Sequence, residues 1–361
     1  MMTCYGEALI DLIVSPYSQS SLRAGSQACL GGSVFNFCIA SARQGLSTAY
    51  LNPLSHDSFG AQFRLLLLAE GVALASPAPS ALPTSIAVVQ LDAAGKASYA
   101  FHREAVADRS LSAQEAIAAL PEGTQVLHTG CLMLVPQDWP TTRALMQAAS
   151  QRGACITVDA NLRTVVCPDL LPYRASVLAA CALAHVVKVS DDDLVALGVD
   201  AALVASDPVG AARSVLGREA VGALGALDRV GASGSSGDSL AGLRSPALIA
   251  LTLGAAGAWL ITPNAQYFQA SPRGIAVADT VGAGDSFFAA LLAYLHRQGV
   301  LSPQSLAASL PASVLQGALA HAVAAATINV TRVGCNPATW EETVAAAGSY
   351  PLHRAAVHHA V

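Results

Sequence analysis

The sequence predicts an α/β protein: a mostly parallel sheet covered by helices, with a small β-sheet beside it that is a candidate lid. Three observations carry this. Strand-like and helix-like segments alternate along most of the chain, as parallel strands joined by helical crossovers require. Hydrophobic residues make up 53% of the 361 positions and charged residues only 12%, so a large buried core is available. One stretch, residues 85–103, breaks the alternation with two strands in succession.

Taken in order, residues 4–14 read as a strand. Gly31-Gly32-Ser33 opens a helix that runs through Arg43 and is stopped by Gly45. Residues 48–51 form a short strand, and a helix spans about 57–70, ended by Gly71. Residues 85–91 and 97–103 flank Asp92-Ala93-Ala94-Gly95 and read as a β-hairpin. Residues 12–14 and 22–29 can pair with it, which makes the small sheet; the alternative is an ordinary edge hairpin of the main sheet. Strands follow at 125–129, 154–159 and 185–189, each before a helix-like segment. Residues 247–253 and 258–262 are strand-like and joined by Gly254-Ala255-Ala256-Gly257. Ahead of them, residues 231–238 are too small and polar to pack and read as a flexible insertion, assigned to 231–243. An apolar helix covers 287–295. Residues 314–330 are apolar but carry Gln316, His321 and Asn329, which argues for a buried helix over a membrane span. Residues 346–361 are expected to be a tail. No internal repeat is found.

The net charge of −5 and the absence of a Lys/Arg cluster exclude a nucleic-acid footprint. No N-terminal segment has the make-up of a leader peptide, so a soluble cytoplasmic protein is expected. The eight cysteines form no C-x-x-C pair and fit small buried hydrophobes better than zinc ligands or disulfides. His358 and His359 read as tail.

The run Asp279-Thr280-Val281-Gly282-Ala283-Gly284-Asp285-Ser286-Phe287-Phe288 carries the most chemistry. It places two glycines and an aspartate where a loop turns into an apolar helix. A helix start presents unpaired N–H groups and partial positive charge, so it binds anions. Asp285 beside a bound phosphate would accept a proton from an attacking hydroxyl; on spacing alone it could equally be a helix cap. Further motifs are Gly6-Glu7-Ala8-Leu9-Ile10-Asp11, Gly31-Gly32-Ser33-Val34-Phe35-Asn36, Asp159-Ala160-Asn161-Leu162-Arg163, Lys188-Val189-Ser190-Asp191-Asp192-Asp193 and Thr252-Leu253-Gly254-Ala255-Ala256-Gly257. Most fall where strands of an open α/β sheet end, the place where such sheets bind ligands. Each has a plainer reading as a turn, cap or hairpin; Ser190 to Asp193 in particular is a good capping box. Their joint occurrence favours a site.

This set resembles the ribokinase-like, or PfkB-type, carbohydrate kinases over residues 6–334, closest in motifs to fructokinases and 2-keto-3-deoxygluconate kinases. The resemblance implies a three-layer α/β/α fold with a β-sheet lid, one kinase domain over residues 1–345 and ATP-dependent phosphorylation of a sugar hydroxyl. It implies Asp285 as base, with the amides of Gly282, Ala283 and Gly284 as an anion hole. It implies that Asp11, Gly31, Gly32, Asn36, Arg103, Asn161 and Arg163 hold the sugar, and that Lys188, Ser190, Thr252, Gly254 and Gly257 lie along the nucleotide. Asp193 takes the acidic position that acts on Mg²⁺ through water, with Ser190 where the family has Asn. Asp279 and residues 331–334 match a monovalent-cation loop that would take K⁺, and the lid implies a homodimer. A ketohexose such as fructose is expected ahead of 2-keto-3-deoxygluconate, with a nucleoside kinase or an inactive sugar-binding regulator as alternatives. Neither G-x-G-x-x-G after a first strand nor G-x-x-x-x-G-K-[ST] is present, which speaks against a nicotinamide dehydrogenase and a P-loop NTPase.

Overall fold

The computed structural model describes residues 1–14, 25–76, 78–91, 97–217 and 245–347. The turn at 92–95, residues 22–24 of the expected lid strand, the insertion at 231–243 and the tail from 348 onward, with His358 and His359, lie outside the described residues. Two sheets form. The larger has nine strands in the order β13 (Gln266–Ala270), β12 (Gly257–Ile261), β11 (Leu248–Thr252), β10 (Val186–Ser190), β9 (Cys155–Asp159), β8 (Val126–Gly130), β1 (Met2–Cys4), β4 (Thr48–Tyr50), β5 (Ala73–Leu74). From β11 to β5 the strands run parallel, and β12 and β13 close that edge antiparallel.

Successive side chains of a strand point to opposite faces, and the parallel strands use this to build two cores. Val126, Cys155, Val186 and Leu248 enter one apolar cluster. Their neighbours Leu127, Ile156, Val187 and Ile249 enter the other. Helices α1 (Ser33–Arg43) and α2 (Ser58–Ala69) cover the first face. Helices α3 (Ala113–Ala119), α4 (Trp139–Gln151), α5 (Leu170–Leu183), α6 (Asp191–Ala196), α7 (Ala201–Ser206) and α8 (Pro208–Leu216) cover the second. Helices α9 (Ala283–Arg297), α10 (Pro303–Ala307), α11 (Ala312–Val330) and α12 (Trp340–Ala347) return to the first face. The result is three layers. Helix α11 is long and apolar enough to span a membrane by length and composition, but it packs into the core, with His321 Nε2 2.9 Å from Gln44 Oε1 and Asn329 Nδ2 donating to the Val281 carbonyl.

The smaller sheet has the order β3 (Ser26–Gly31), β2 (Leu9–Val14), β6 (Ser85–Leu91), β7 (Ala97–His102). It contains the expected hairpin, β6 against β7. One expectation is corrected here. Residues 4–14 are not one strand: β1 belongs to the large sheet and β2 to the small one, with residues 5–8 crossing between them. The crossover is fixed by Asn52, whose Oδ1 accepts from Gly6 N, and by Tyr50, whose hydroxyl donates to the Gly6 carbonyl. Strand β13 was not anticipated, and the helix expected at 287–295 begins earlier, at Ala283. For the site, the decisive feature is register. Asp159 lies beside Lys188, and, two residues further along β10, Ser190 beside Thr252, so the C-terminal ends of β9, β10 and β11 bring these groups together in two neighbouring rows.

Candidate active site

Helix α9 starts without a side-chain cap. Its N-cap is Gly282, in the left-handed region at φ 74° and ψ 4°, and a Cβ there would also collide with the Cys335 sulfur. Only glycine satisfies both demands. Because the cap position carries no side chain, the acid of the first turn is not used for capping. Asp285 is instead 6% exposed and held by side chains from a distant element. Its Oδ1 accepts from Ser33 Oγ at 2.8 Å and its Oδ2 from Asn36 Nδ2 at 3.1 Å. Asn161 Nδ2 in turn donates to Ser33 Oγ at 2.9 Å. Burial pushes the Asp285 carboxyl above its ordinary range, while the Ser33 hydrogen bond, the Lys188 ammonium, the Asn36 hydrogen bond and the Arg163 charge pull it back.

Ser33 and Asn36 stand in the first turn of α1. Gly32 precedes them at φ 110°, and a Cβ on it would sit 2.5 Å from the Glu7 carbonyl oxygen. Glu7 is fully buried and its Oε1 accepts from Ser33 N at 2.8 Å. Asn161 itself has φ 33°, an uncommon conformation that asparagine tolerates better than most residues.

Beneath the α9 loop lies a buried ion pair. Lys188 Nζ donates to both oxygens of Asp159, at 2.9 and 3.0 Å. The lysine also packs under Gly284, where a Cβ would lie 3.2 Å from Nζ. Burial works against the Lys188 charge, but Asp159, Asp193 and Asp285 outweigh it and hold the ammonium above its ordinary range. Burial raises Asp159 to about 6, with Lys188 pulling it down. Asp193 is different in kind. Its Oδ2 accepts from Ser190 N and its Oδ1 from Leu162 N, both at 2.8 Å, while Ser190 Oγ accepts from Asp193 N. That is a complete capping box on α6.

On the lid side, Gly31 lies so close to Asp11 that a Cβ would strike Asp11 Oδ2. Burial lifts Asp11 to about 6 against the pull of Arg163. Arg163 is exposed, and its charge is felt at both Asp11 and Asp285. Arg103 sits elsewhere. It is 7% exposed and its Nη1 donates to the Leu132 carbonyl and Asp138 Oδ2, both at 3.4 Å, while its Nε and Nη2 have no partner. It lines a cavity of about 500 Å³ with Thr84, Phe101, His102 and Arg109, and neither Asp285, Asn36 nor Arg163 lines that cavity. Of the sugar-binding residues expected from sequence, Asn36, Asn161 and Arg163 meet at Asp285, Gly32 starts the helix that carries Asn36, Asp11 with Gly31 lies on the other side of the Arg163 charge, and Arg103 lies against Asp138 and on the far side of Glu7.

At the end of β11, Thr252 Oγ1 is 3.5 Å from the Val189 carbonyl and partly exposed. A Cβ at Gly254 would meet nothing, whereas one at Gly257 would strike the Gln269 carbonyl of β13. Asp279 ties two loops together, its carboxylate accepting from Val281 N at 3.0 Å and Gly334 N at 2.9 Å.

The model of the pfkB family carbohydrate kinases matches residues 1–207 and 237–342. The chain belongs to this family. A fructokinase of Rhizobium leguminosarum bv. trifolii is 29% identical over 310 residues, 85% of this chain and 83% of that protein. A fructokinase of Vibrio alginolyticus is 30% identical over 298 residues, 81% and 83% of the two chains. A fructokinase of Vibrio cholerae O395, solved with fructose, ADP and calcium, superposes with a TM-score of 0.66 at 25% identity, covering 92% of this chain and 94% of that one. The protein is a carbohydrate kinase that uses a nucleotide.

Two residues of this kinase's site were not singled out from the sequence: Ser33 and Glu7. Ser33 read as a cap; in the structure Gly32 is the cap and the hydroxyl is spent on Asp285. Glu7 was passed over for Asp11 in the same motif, although an acid inside an apolar strand pattern was the available signal. At the start of α9, Ala283 N is turned onto the Thr280 carbonyl at 3.2 Å. Among the described residues no cluster of three or more His, Cys, Asp or Glu could hold a metal ion. A hydrated Mg²⁺ carried on nucleotide phosphates would need only one or two carboxylates. Both Asp193 oxygens already accept backbone amides, so contact through water suits it better than direct ligation.

Proposed function

We propose that this kinase transfers the γ-phosphoryl group of ATP to a hydroxyl of a ketohexose, fructose first among them, with Asp285 as the base. The observation that carries the reading is Asp285 itself: a buried carboxylate in the first turn of an uncapped helix, bonded to Ser33 and Asn36, with Asn161 behind Ser33 and the Arg163 charge shared between it and Asp11. Each carboxylate oxygen has a further lone pair for the substrate hydroxyl proton. Burial raises the affinity of Asp285 for that proton, which suits a base working near neutral pH. Asp11, Asn36 and Asn161 hold sugar hydroxyls. The amides of Gly282 and Gly284, with Lys188 beneath them, stabilise charge on the phosphoryl oxygens. Ser190, Thr252, Gly254 and Gly257 border the nucleotide, and the open space at Gly254 supports this. Mg²⁺ bound with the nucleotide would neutralise phosphate charge, and Asp193 is the residue that would act on it through water. Asp279 and the Gly334 turn are where K⁺ would act, and the exposed lid edges would pair two copies. A cytoplasmic location follows from the substrates.

Named fructokinases at about 30% identity support fructose over the keto acid. The test is ADP release from Mg·ATP across a panel of sugars and sugar acids, with and without K⁺. Fructose should give the highest kcat/KM, and Arg163→Ala should lower it only moderately. Far higher efficiency with 2-keto-3-deoxygluconate, abolished by Arg163→Ala, would overturn the substrate.

A further inference from the structure

We propose that Glu7, in the crossover between the large sheet and the lid, is a positioning residue for the base: it anchors the first amide of α1 and so keeps the Ser33 hydroxyl on Asp285. The proposal rests on the reading of Asp285 as the base. A helix start normally finds an acceptor for its first amides in its own cap side chain. Helix α1 has none to use. Gly32 carries no side chain, and the Ser33 hydroxyl is already donated to Asp285. The acceptor comes instead from Glu7, whose Oε1 takes Ser33 N at 2.8 Å. The backbone of Glu7 reinforces this, since its carbonyl packs on Gly32 so tightly that only glycine fits. Glu7 thus grips both residues from which α1 starts.

A buried carboxylate is a costly way to cap a helix, and the second oxygen of Glu7 has no partner. The arrangement is explained if the Ser33 hydroxyl is reserved for the base. Glu7 faces Arg103 from the end of β7 and Asp108 from the short turn at 107–109, and the Tyr50 hydroxyl lies on its other side. Asp285 faces Lys188 of β10 and Arg163 beyond β9, with Asp159 of β9 behind the lysine. The Cys131 thiol faces both acids, Tyr173 also faces Glu7 and the Cys335 thiol also faces Asp285; burial holds all three protonated. Burial raises Glu7 to about 7, with Arg103 opposing, and Oε1 can accept from Ser33 N in either protonation state.

The experiment measures kcat, KM and the pH profile of kcat/KM with fructose and Mg·ATP for Ser33→Ala, Glu7→Ala, Glu7→Gln, the Glu7→Ala/Ser33→Ala double variant and, as control, Asp285→Asn. The Ser33 hydroxyl holds the Asp285 carboxyl down, so Ser33→Ala should move the acidic limb to higher pH and lower kcat about tenfold, the scale of one lost buried hydrogen bond. Glu7→Ala should move both in the same direction with KM for ATP nearly unchanged. The double variant should be no worse than about the poorer single variant, because the two act through one hydrogen bond. Glu7→Gln keeps the acceptor and should recover most of the loss. Where Glu7→Ala does not fold, Glu7→Asp withdraws the acceptor by one methylene and replaces it in the set. Losses that multiply in the double variant, or an acidic limb unmoved by removal of Glu7, overturn the proposal. Near-normal turnover in Asp285→Asn would instead overturn the base itself, so the two failures are distinct.

Discussion

Asp285 and Asp193 occupy the same local position, the third residue of a helix that starts at the end of a motif rich in small or polar residues. Their fates differ. Asp193 follows Ser190 and closes a capping box, both oxygens on backbone amides. Asp285 follows Gly282, which has no side chain to share in a box, and its oxygens go to Ser33 and Asn36, which lie 252 and 249 residues away in sequence. The cap residue therefore decides whether an acid in the first turn is spent on its own helix. Both acids keep a lone pair on each oxygen; what differs is that Asp285 is held by side chains of another helix, and Asp193 by backbone amides, one of them at the start of its own helix.

Two substitutions, read in three ways, sharpen the contrast. The largest structural effect is expected from Lys188→Met, which removes the cation lying near both acids. It strands Asp159 in the interior, and breaking a buried pair this way costs roughly 3–5 kcal/mol. The effect should depend on pH. Asp159 is raised from 3.8 to about 6 in the fold, so its protonated form stabilises the fold below about 4, and that stabilisation is lost as pH rises through 6. Without the ammonium the loss deepens and extends upward, so the destabilisation measured by urea unfolding should grow between pH 5 and 8. A pH-independent difference would mean that the pair carries little of the effect. Next, Ser190→Ala removes one half of the α6 box and should lower stability by about 1 kcal/mol, read as a shift in urea midpoint. The smallest change is in turnover for the same variant, expected to stay within about threefold; a larger fall would mean that the box also shapes the nucleotide site.

Much of this was legible beforehand because it is local. Gly31-Gly32-Ser33 and the stop at Gly45 bounded α1 to the residue, and the hairpin at 85–103 announced the second sheet. What was illegible depends on long-range placement. The break at residues 5–8 was hidden by continuous apolar residues on both sides, since a chain leaving one sheet for another keeps a strand-like pattern throughout. Strand β13 is an edge, alternating half-buried and buried, with too few apolar residues to stand out. Nothing near Ser33 in sequence reveals a bond to a carboxylate on α9. Arg103 is illegible for the same reason: nothing near it in sequence reveals that its guanidinium lies against Asp138, 35 residues away.

The most direct test sets the two aspartates against each other. Asp285→Asn and Asp193→Asn are compared in two readouts, turnover of fructose with saturating Mg·ATP and melting temperature. The account predicts that Asp285→Asn loses turnover by roughly two orders of magnitude or more, the scale of a positioned base, with its melting temperature little changed. Asp193→Asn should lose melting temperature and need more Mg²⁺, and at saturating Mg·ATP keep turnover within several-fold. Near-normal turnover in Asp285→Asn, or a loss in Asp193→Asn as large as in its counterpart, would contradict it.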